Sequence, residues 1–319
     1  MDVFLTTDVE VWCDGWRDID QKFPRAFEQY VYGSTAAGAY GLPFQLKLLQ
    51  EHGLLGVFFV EPLFSFRFGQ PALQDIVGLL NAGQQEIQLH LHTEWVDESR
   101  SPLLLGVTGK RQFLRQFSLA EQLQLISLAR QRLLDAGAAP VNCFRAGSFG
   151  FNRDTLLVLK ELGIAYDSSY NATQFGPDSG VRPGELMFDP FMAEGVVEYP
   201  MSVYDDGIRG LRHVQLTACS SSEMEGLLWA GLESGRKSMV FLSHNFELLT
   251  PDKTRADKTM VRRFERLCNF LAKNVNLFQV RGFHGLEAKI DPPWPAPLAS
   301  PGWKTAARMV SQLGRRVFQ

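Results

Sequence analysis

The sequence predicts an α/β protein with a mostly parallel sheet. Short apolar runs alternate along the chain with longer segments of helical periodicity, which is the pattern of repeated strand–helix units. About seven or eight strands at this spacing fit a (β/α) barrel, and a doubly wound open sheet is the alternative. The 319 residues suffice for one large core, so we expect a single α/β domain over residues 1–290.

Strands are predicted where short apolar runs are bounded by turn residues. They lie at Val3–Thr7, Leu55–Val60, Glu86–His92, Val141–Ala146, Ala165–Ser168, Val196–Pro200, Met239–His244 and Phe278–Phe283. Helices are predicted where apolar residues recur at helical spacing. They lie at Leu42–Glu51, Pro71–Asn81, Leu119–Leu134, Arg153–Leu162, Glu223–Glu233 and Thr254–Asn274. Ser118 with Glu121 matches a capping box, and Asn152 suits an N-cap. The glycines expected at left-handed C-caps are Gly53, Gly83, Gly137 and Gly163.

Two connections are too long for ordinary loops between a strand and a helix. They are Cys13–Tyr40 and Val96–Gln116, and each follows a predicted strand. We expect both to form walls of a substrate cleft, because the carboxyl ends of parallel strands carry the active site in α/β proteins. Disordered insertions are the alternative.

Residues 291–319 differ from the rest of the chain. Pro292–Pro301 is rich in proline and predicts a stiff linker, and Trp303–Phe318 predicts an amphipathic helix. The apolar face of this helix carries Trp303, Ala306, Ala307, Val310, Leu313 and Val317, and the polar face carries Lys304, Arg308 and Arg315. Because no acidic residue follows Asp291, we expect the helix either to lie on an anionic membrane surface or to pack on the domain or another chain.

The composition argues against several classes of protein. A net charge of −3 and the lack of a basic patch with interleaved aromatics argue against nucleic acid as a partner. The four cysteines are widely separated, so a zinc ribbon or thioredoxin-like motif is not expected. No stretch approaches the roughly 20 apolar residues of a membrane span, and the N-terminus lacks the basic segment of a signal peptide. These features predict a cytoplasmic protein, membrane-associated if the tail helix binds lipid.

Carboxylates follow the first predicted strand. Asp8 and Glu10 lie two positions apart and share one face if the chain stays extended. Two neighbouring carboxylates suit one group to metal binding and the other to proton transfer. The alternative interpretation is a helix cap and a solvated loop residue.

The third predicted strand ends in histidines. His90, His92 and Glu94 follow the same alternation, and a His-x-His pair with a carboxylate can chelate one metal ion such as zinc. We therefore predict a metal site at the end of this strand, whereas a single histidine here would be structural.

Further polar residues follow three later strands. Arg145 leaves an apolar strand and needs an anionic partner, for which Asp8 is the candidate. Glycines beside Ser148 let backbone N–H groups approach a substrate oxygen. Asp167 and His244 could form a general-acid pair, because a carboxylate orients the imidazole ring and raises its pKa.

Together these motifs resemble the polysaccharide deacetylases, the NodB-homology domain of carbohydrate esterases. The matching segments in chain order are Thr6–Glu10, His90–Trp95, Phe144–Gly147, Tyr166–Ser169 and Phe241–His244. Residues 41–60 and Glu198–Pro200 are similar to further segments of that family, so the resemblance covers about residues 1–286.

The resemblance implies a distorted (β/α)7 barrel and a metal-dependent hydrolase. Its implied reaction is removal of an acyl group, N-acetyl above all, from a carbohydrate or glycan precursor. Carried over by position, the functional residues are the base Asp8, the metal ligands Glu10 and His90, the positioning residue Arg145, and the general acid His244 with its orienting Asp167.

Two departures from the family leave alternatives open. Glu10 stands one residue beyond the usual aspartate ligand, and Glu94 occupies the position of the second histidine. The third metal ligand is therefore either His92 or Glu94.

Some members of this family act on small amides without metal. A metal-independent amidohydrolase is therefore one alternative function. A non-catalytic glycan-binding protein is the other. Trp12, Trp16 and Trp95 lie near the motifs and favour a sugar, because flat aromatic faces suit pyranose rings.

Overall fold

The computed structural model describes residues 1–290 and 296–318, with the backbone alone over 311–318. The described α-helices are α1 (Ile19–Phe27), α2 (Leu42–Glu51), α3 (Ser65–Phe68), α4 (Gln70–Ala82), α5 (Leu119–Asp135), α6 (Arg153–Glu161), α7 (Ser221–Glu233), α8 (Lys258–Lys273) and α9 (Gly302–Phe318). The described strands are β1 (Asp2–Val9), β2 (Ser34–Thr35), β3 (Gly38–Ala39), β4 (Gly56–Val60), β5 (Glu86–Leu91), β6 (Cys143–Ala146), β7 (Tyr166–Asp167), β8 (Phe191–Ala193), β9 (Val196–Glu198), β10 (Val203–Asp205), β11 (Leu211–His213), β12 (Ser238–His244), β13 (Gln279–Val280) and β14 (Leu298–Ala299).

The chain divides into two compact units. The first unit comprises Met1–Gly56, Met201–Arg281 and the described residues from 296 onward. The second unit comprises Val57–Pro200 and residues 282–290.

In the first unit, β1 lies between two parallel partners. It pairs with β12 along its length, and Asp2 and Val3 pair with β13. Every residue of β1 is buried, which explains the apolar run at its start. The register sets Asp8 opposite His244, so the carboxyl ends of both strands meet where the sequence predicts chemistry.

The long connection after β1 is ordered rather than a plain loop. It contains α1, a π-helical turn at Glu28–Tyr32 and the short hairpin of β2 and β3. The backbones at Gly33 and Gly41 approach so closely that neither position has room for a Cβ atom. Asn245 donates to the carbonyl oxygen of Tyr30 at 2.7 Å, which anchors this segment beside the end of β12.

In the second unit, β4, β5, β6, β7 and β9 pair in parallel in that order, and β8 pairs antiparallel with β9. Helices precede three of these strands, as predicted: α4, α5 and α6. The capping box of Ser118 and Glu121 is present, and Asn152 caps α6. The expectation for Gly83 is wrong, because its φ is −76° and the next residue, Gln84, takes the left-handed conformation.

The second long connection is held by charge rather than by secondary structure. The 3₁₀ turns at Thr93–Glu98 and Leu114–Gln116 bracket it. Lys110 donates to Asp97 and Glu98, each at 2.6 Å, and to the carbonyl oxygen of Glu94 at 2.9 Å. These bonds fix the loop next to the end of β5.

The tail packs within the first unit. Part of the predicted linker, residues 292–295, lies outside the described residues, and Leu298–Ala299 forms β14 against β10. The predicted tail helix is present as α9, and it contacts α7. The first turns of the tail helix therefore pack on the domain, and contact with a membrane stays a prediction. None of the helices among the described residues combines the length and the apolar character needed to cross a membrane.

Candidate active site

In the first unit, the ends of β1 and β12 bring two carboxylates next to an imidazole. The candidate ligand atoms of Asp8, Glu10 and His244 all lie within 4.8 Å of one another. Asp8 and Glu10 are only 4 % and 6 % exposed. Two buried carboxylates repel each other unless a cation or proton lies nearby, so this group is chemically suited to hold a divalent metal or to move protons.

Glu10 is held in place by bonds to its side chain and its backbone. The indole N–H of Trp12 donates to Oε2 at 2.6 Å. The backbone N–H of Glu10 donates to Oδ1 of Asn245 at 3.0 Å, and Nδ2 of Asn245 donates back to the Glu10 carbonyl oxygen at 3.1 Å. Sequence reasoning did not identify Asn245 as part of the site, although it directly follows His244.

The imidazole of His244 is oriented by Glu247. Nδ1 lies 2.8 Å from Oε1 of Glu247, and Nε2 lies 3.8 Å from Oε1 of Glu10. Gln215 donates to the same Glu247 oxygen and fixes that carboxylate. The orienting role that the sequence analysis gave to Asp167 stays a prediction, whereas the structure shows Nδ1 of His244 bonded to Glu247. That residue was overlooked because it lies in the turn after the strand rather than at a strand end.

The surroundings of His244 favour its protonated form. Burial is the largest single influence and disfavours the charged ring, but the hydrogen bond to Glu247 and the charges of Glu10, Glu247 and Asp8 outweigh it. Together they raise the pKa of His244 to about 9. An imidazolium at neutral pH can donate a proton from Nε2.

In the second unit, β5 ends in a fixed pair of imidazoles. Nδ1 of His90 lies 2.8 Å from the carbonyl oxygen of Arg145, and Nδ1 of His92 lies 3.2 Å from Oε2 of Glu94. A carbonyl oxygen and a carboxylate only accept, so both rings donate from Nδ1 and carry the lone pair on Nε2. This is the tautomer of a metal-binding histidine, and it makes Glu94 the hydrogen-bond partner of His92.

Gly147 makes room for the ring of His92. A Cβ atom at this position would lie 2.7 Å from Cγ of His92 and 2.7 Å from the carbonyl oxygen of Leu91. The next two residues, Ser148 and Phe149, are not glycine yet have φ angles of 51° and 56°. Backbone strain of this kind costs about 1–3 kcal/mol and is typical of functional loops.

The side chains of Arg145 and Asp167 lie buried at the ends of the neighbouring strands β6 and β7. Arg145 is fully buried, donates to the carbonyl oxygen of Ser168 at 3.1 Å, and stacks 4.1 Å from the ring centre of Phe59. Asp167 is also fully buried, and its Oδ1 accepts from Ser169 at 2.7 Å. The expected pairing of Arg145 with Asp8 stays a prediction.

Asp167 and Glu198 form a buried carboxyl pair. They face each other across the paired strands β7 and β9, and both are fully buried. Burial raises the pKa of Asp167; burial and then the charge of Asp167 raise the pKa of Glu198 well above its usual value. In the sequence, Glu198 stands out only as part of a predicted strand. Its proximity to Asp167 depends on the pairing of β7 with β9, which local sequence does not reveal.

The tryptophans near the site differ in accessibility. Trp95 is 1 % exposed and packs edge-on against Phe68 at 5.8 Å, so it cannot stack on a sugar, and that expectation is wrong. Trp12 and Trp16 are partly exposed and lie edge to face, with ring centres 5.9 Å apart.

Comparison with solved structures establishes the fold class. The crystal structure of a putative polysaccharide deacetylase from Mycobacterium smegmatis matches with a TM-score of 0.51 at 17 % identity, covering 91 % of this chain and 94 % of that one. A polysaccharide deacetylase from Bacillus cereus (12 % identity, 88 % and 91 % coverage) and a family 4 carbohydrate esterase from Streptomyces lividans (14 %, 85 % and 88 %) have TM-scores of 0.41 and 0.39, which are too low to establish a shared fold. Neither a family model nor a curated protein matches the sequence. The predicted NodB-type α/β fold is thus confirmed.

Proposed function

We propose that the protein is a hydrolase that removes an acyl group, N-acetyl above all, from a carbohydrate or glycan precursor. The observation that carries this proposal is the pair of His244 and Glu247 beside Asp8 and Glu10, which places a proton donor next to carboxylates that can accept one. The fold shared with the M. smegmatis protein supports the same class of reaction.

Three residues are proposed to hold a divalent metal: Glu10, His90 and His92. Zinc fits this set of imidazole and carboxylate donors, and the Nδ1 bonds of both histidines support it because they present Nε2 as the ligand atom. Such a metal, when bound, polarises the acyl carbonyl and lowers the pKa of water. Glu94 acts on this site by orienting His92.

The remaining steps of the proposed reaction are proton transfers. Asp8 takes the proton from the attacking water, and His244 gives a proton from Nε2 to the leaving amine or hydroxyl. Arg145 holds Asp8 in position, and a backbone N–H near Ser148 stabilises the oxyanion.

Asp167 acts on this chemistry as a positioning residue. It accepts from the Ser169 hydroxyl at 2.7 Å, and that hydroxyl accepts from the backbone N–H of Ala146 at 2.9 Å. Asp167 thereby fixes the strand end from which Arg145 and Gly147 extend.

Replacing Glu247 with glutamine is expected to move the alkaline limit of activity to lower pH by about one unit or more. Activity requires the protonated ring, so it is lost as pH rises through the pKa of His244. Loss of the bond to Glu247 lowers that pKa. The measurement is kcat against pH, with Glu233→Gln on the exposed side of α7 as the control. An unshifted alkaline limit would remove Glu247 from the mechanism.

The proposed function is tested by acetate release from oligomers of N-acetylglucosamine. We expect release by the zinc-loaded protein, loss after chelation, recovery with added Zn²⁺, and strong loss in His90→Gln. His52→Gln, a substitution at the end of α2, is the matched control. Release that survives both chelation and His90→Gln would favour the metal-independent amidohydrolase. Failure of the zinc-loaded protein to release acetate from any acetylated sugar would favour the non-catalytic glycan-binding protein.

A further inference from the structure

The helix α9 turns its polar side toward the protein and its apolar side outward. Thr305 and Arg308 are buried, with exposures of 0 % and 2 %. Trp303 and Val310 are 68 % and 70 % exposed, and Ala306 and Ala307 between them are also exposed. A surface helix of a globular protein has the opposite arrangement.

Buried charges hold the helix in this orientation. Arg308 donates to Oδ2 of Asp206 at 3.0 Å and to Oε1 of Glu223 at 3.1 Å, and both carboxylates are fully buried. Its third contact is the carbonyl oxygen of Ala218 at 3.1 Å, and Thr305 donates to the carbonyl oxygen of Asp206 at 2.7 Å. Rotating the helix to bury its apolar side would separate the Arg308 guanidinium from both buried carboxylates, which is strongly unfavourable. The outward apolar side is therefore built into the packing.

Basic side chains, together with one exposed acid at Asp205, lie near this apolar side. Ile208 is 53 % exposed and lies 3.7 Å from where a Cβ atom on Gly302 would be, so it extends the apolar side beyond the helix. The next residue, Arg209, is exposed, and the Lys304 ammonium lies 5.7 Å from the ring centre of Trp303. Besides the buried Arg308, the sequence from residue 302 to the end holds three Lys or Arg residues and no acid.

We propose that this tail surface, formed by Ile208, Trp303, Ala306, Ala307 and Val310, binds an anionic phospholipid membrane. Tryptophan and aliphatic side chains enter the boundary between headgroups and acyl chains, and neighbouring lysine and arginine attract anionic lipid. A second copy of the chain is the weaker candidate, because two alanines separate the large side chains. Its five described residues are far fewer than the roughly 20–30 residues per side of a stable interface. The proposal is independent of the reaction assigned above.

Vesicle co-sedimentation of the full-length protein tests the proposal. We expect binding to vesicles of phosphatidylcholine mixed with phosphatidylglycerol, weaker binding at high salt, and little binding to phosphatidylcholine alone. The double substitution Trp303→Glu and Val310→Asp is expected to lower the partition coefficient at least about tenfold. Both side chains are exposed, so the fold is retained. Val275→Asp, at a position 57 % exposed, is the matched control and leaves binding unchanged.

Three outcomes would overturn the proposal. The first is no binding to either kind of vesicle. The second is equal binding by the double variant, which would place the lipid contact elsewhere. The third is a dimer seen by analytical ultracentrifugation without lipid and lost in the double variant, because a second copy would then cover the tail surface.

Discussion

Replacing Asp8 with asparagine is expected to lower kcat for acetate release by roughly 10²–10⁴-fold, the usual contribution of a positioned general base. Asp8 is 4 % exposed and lies in one group with Glu10 and His244. Asparagine has the same shape but accepts no proton at neutral pH. The substitution also removes one of two neighbouring buried charges, so the free energy of unfolding is expected to stay equal or to rise.

Two further measurements make this result specific. Asp75→Asn, on the exposed side of α4, is the matched control and leaves kcat unchanged. Zinc content is expected to stay near one ion per chain in Asp8→Asn, because the proposed ligands are other residues. Near-normal turnover in this variant would reject Asp8 as the base.

Replacing Arg308 with alanine is expected to lower the free energy of unfolding by about 3–5 kcal/mol. The guanidinium is the shared partner of two fully buried carboxylates, Asp206 and Glu223. Its removal leaves both without that partner and detaches α9 from the first unit. Urea unfolding followed by circular dichroism measures the change.

Two further variants distinguish the loss of the Arg308 ion pairs from the loss of side-chain packing. Arg262→Ala on the exposed side of α8 is the control, with an expected change within about 0.5 kcal/mol. Arg308→Met combined with Asp206→Asn and Glu223→Gln is expected to recover much of the loss, because the triple variant leaves no buried charge unpaired. A cost below about 1 kcal/mol for Arg308→Ala would show that the charge cluster does not hold the tail.

Periodicity predicted most of the large elements, because long buried strands and amphipathic helices leave repeating patterns in the sequence. The helix at Leu42–Glu51 has the predicted bounds, and β12 differs from its prediction by one residue. The helix α1 was not predicted, since Pro24 lies inside it and proline disfavours the helix interior. The three-residue strands β8, β10 and β11 are too short to leave a pattern.

The candidate site was predictable where a residue lies at the end of a strand. Asp8 and His244 follow that rule, and the register of β1 with β12 brings them together. Glu247 could not be predicted in this way, because it lies in the turn after β12. That turn folds its carboxylate back onto His244.

The orientation of the tail helix could not be predicted either. Its amphipathic pattern is visible in the sequence, but the carboxylates that draw Arg308 inward lie 102 and 85 positions earlier in the chain.

The central claim is that Glu10, His90 and His92 serve one hydrolytic metal centre. Calorimetric titration of Zn²⁺ into the metal-free protein tests it most directly, with Glu10→Gln and His90→Gln as variants. Our account predicts one site per chain, weakened at least about tenfold by either substitution. Zinc binding at full affinity in both variants would contradict it.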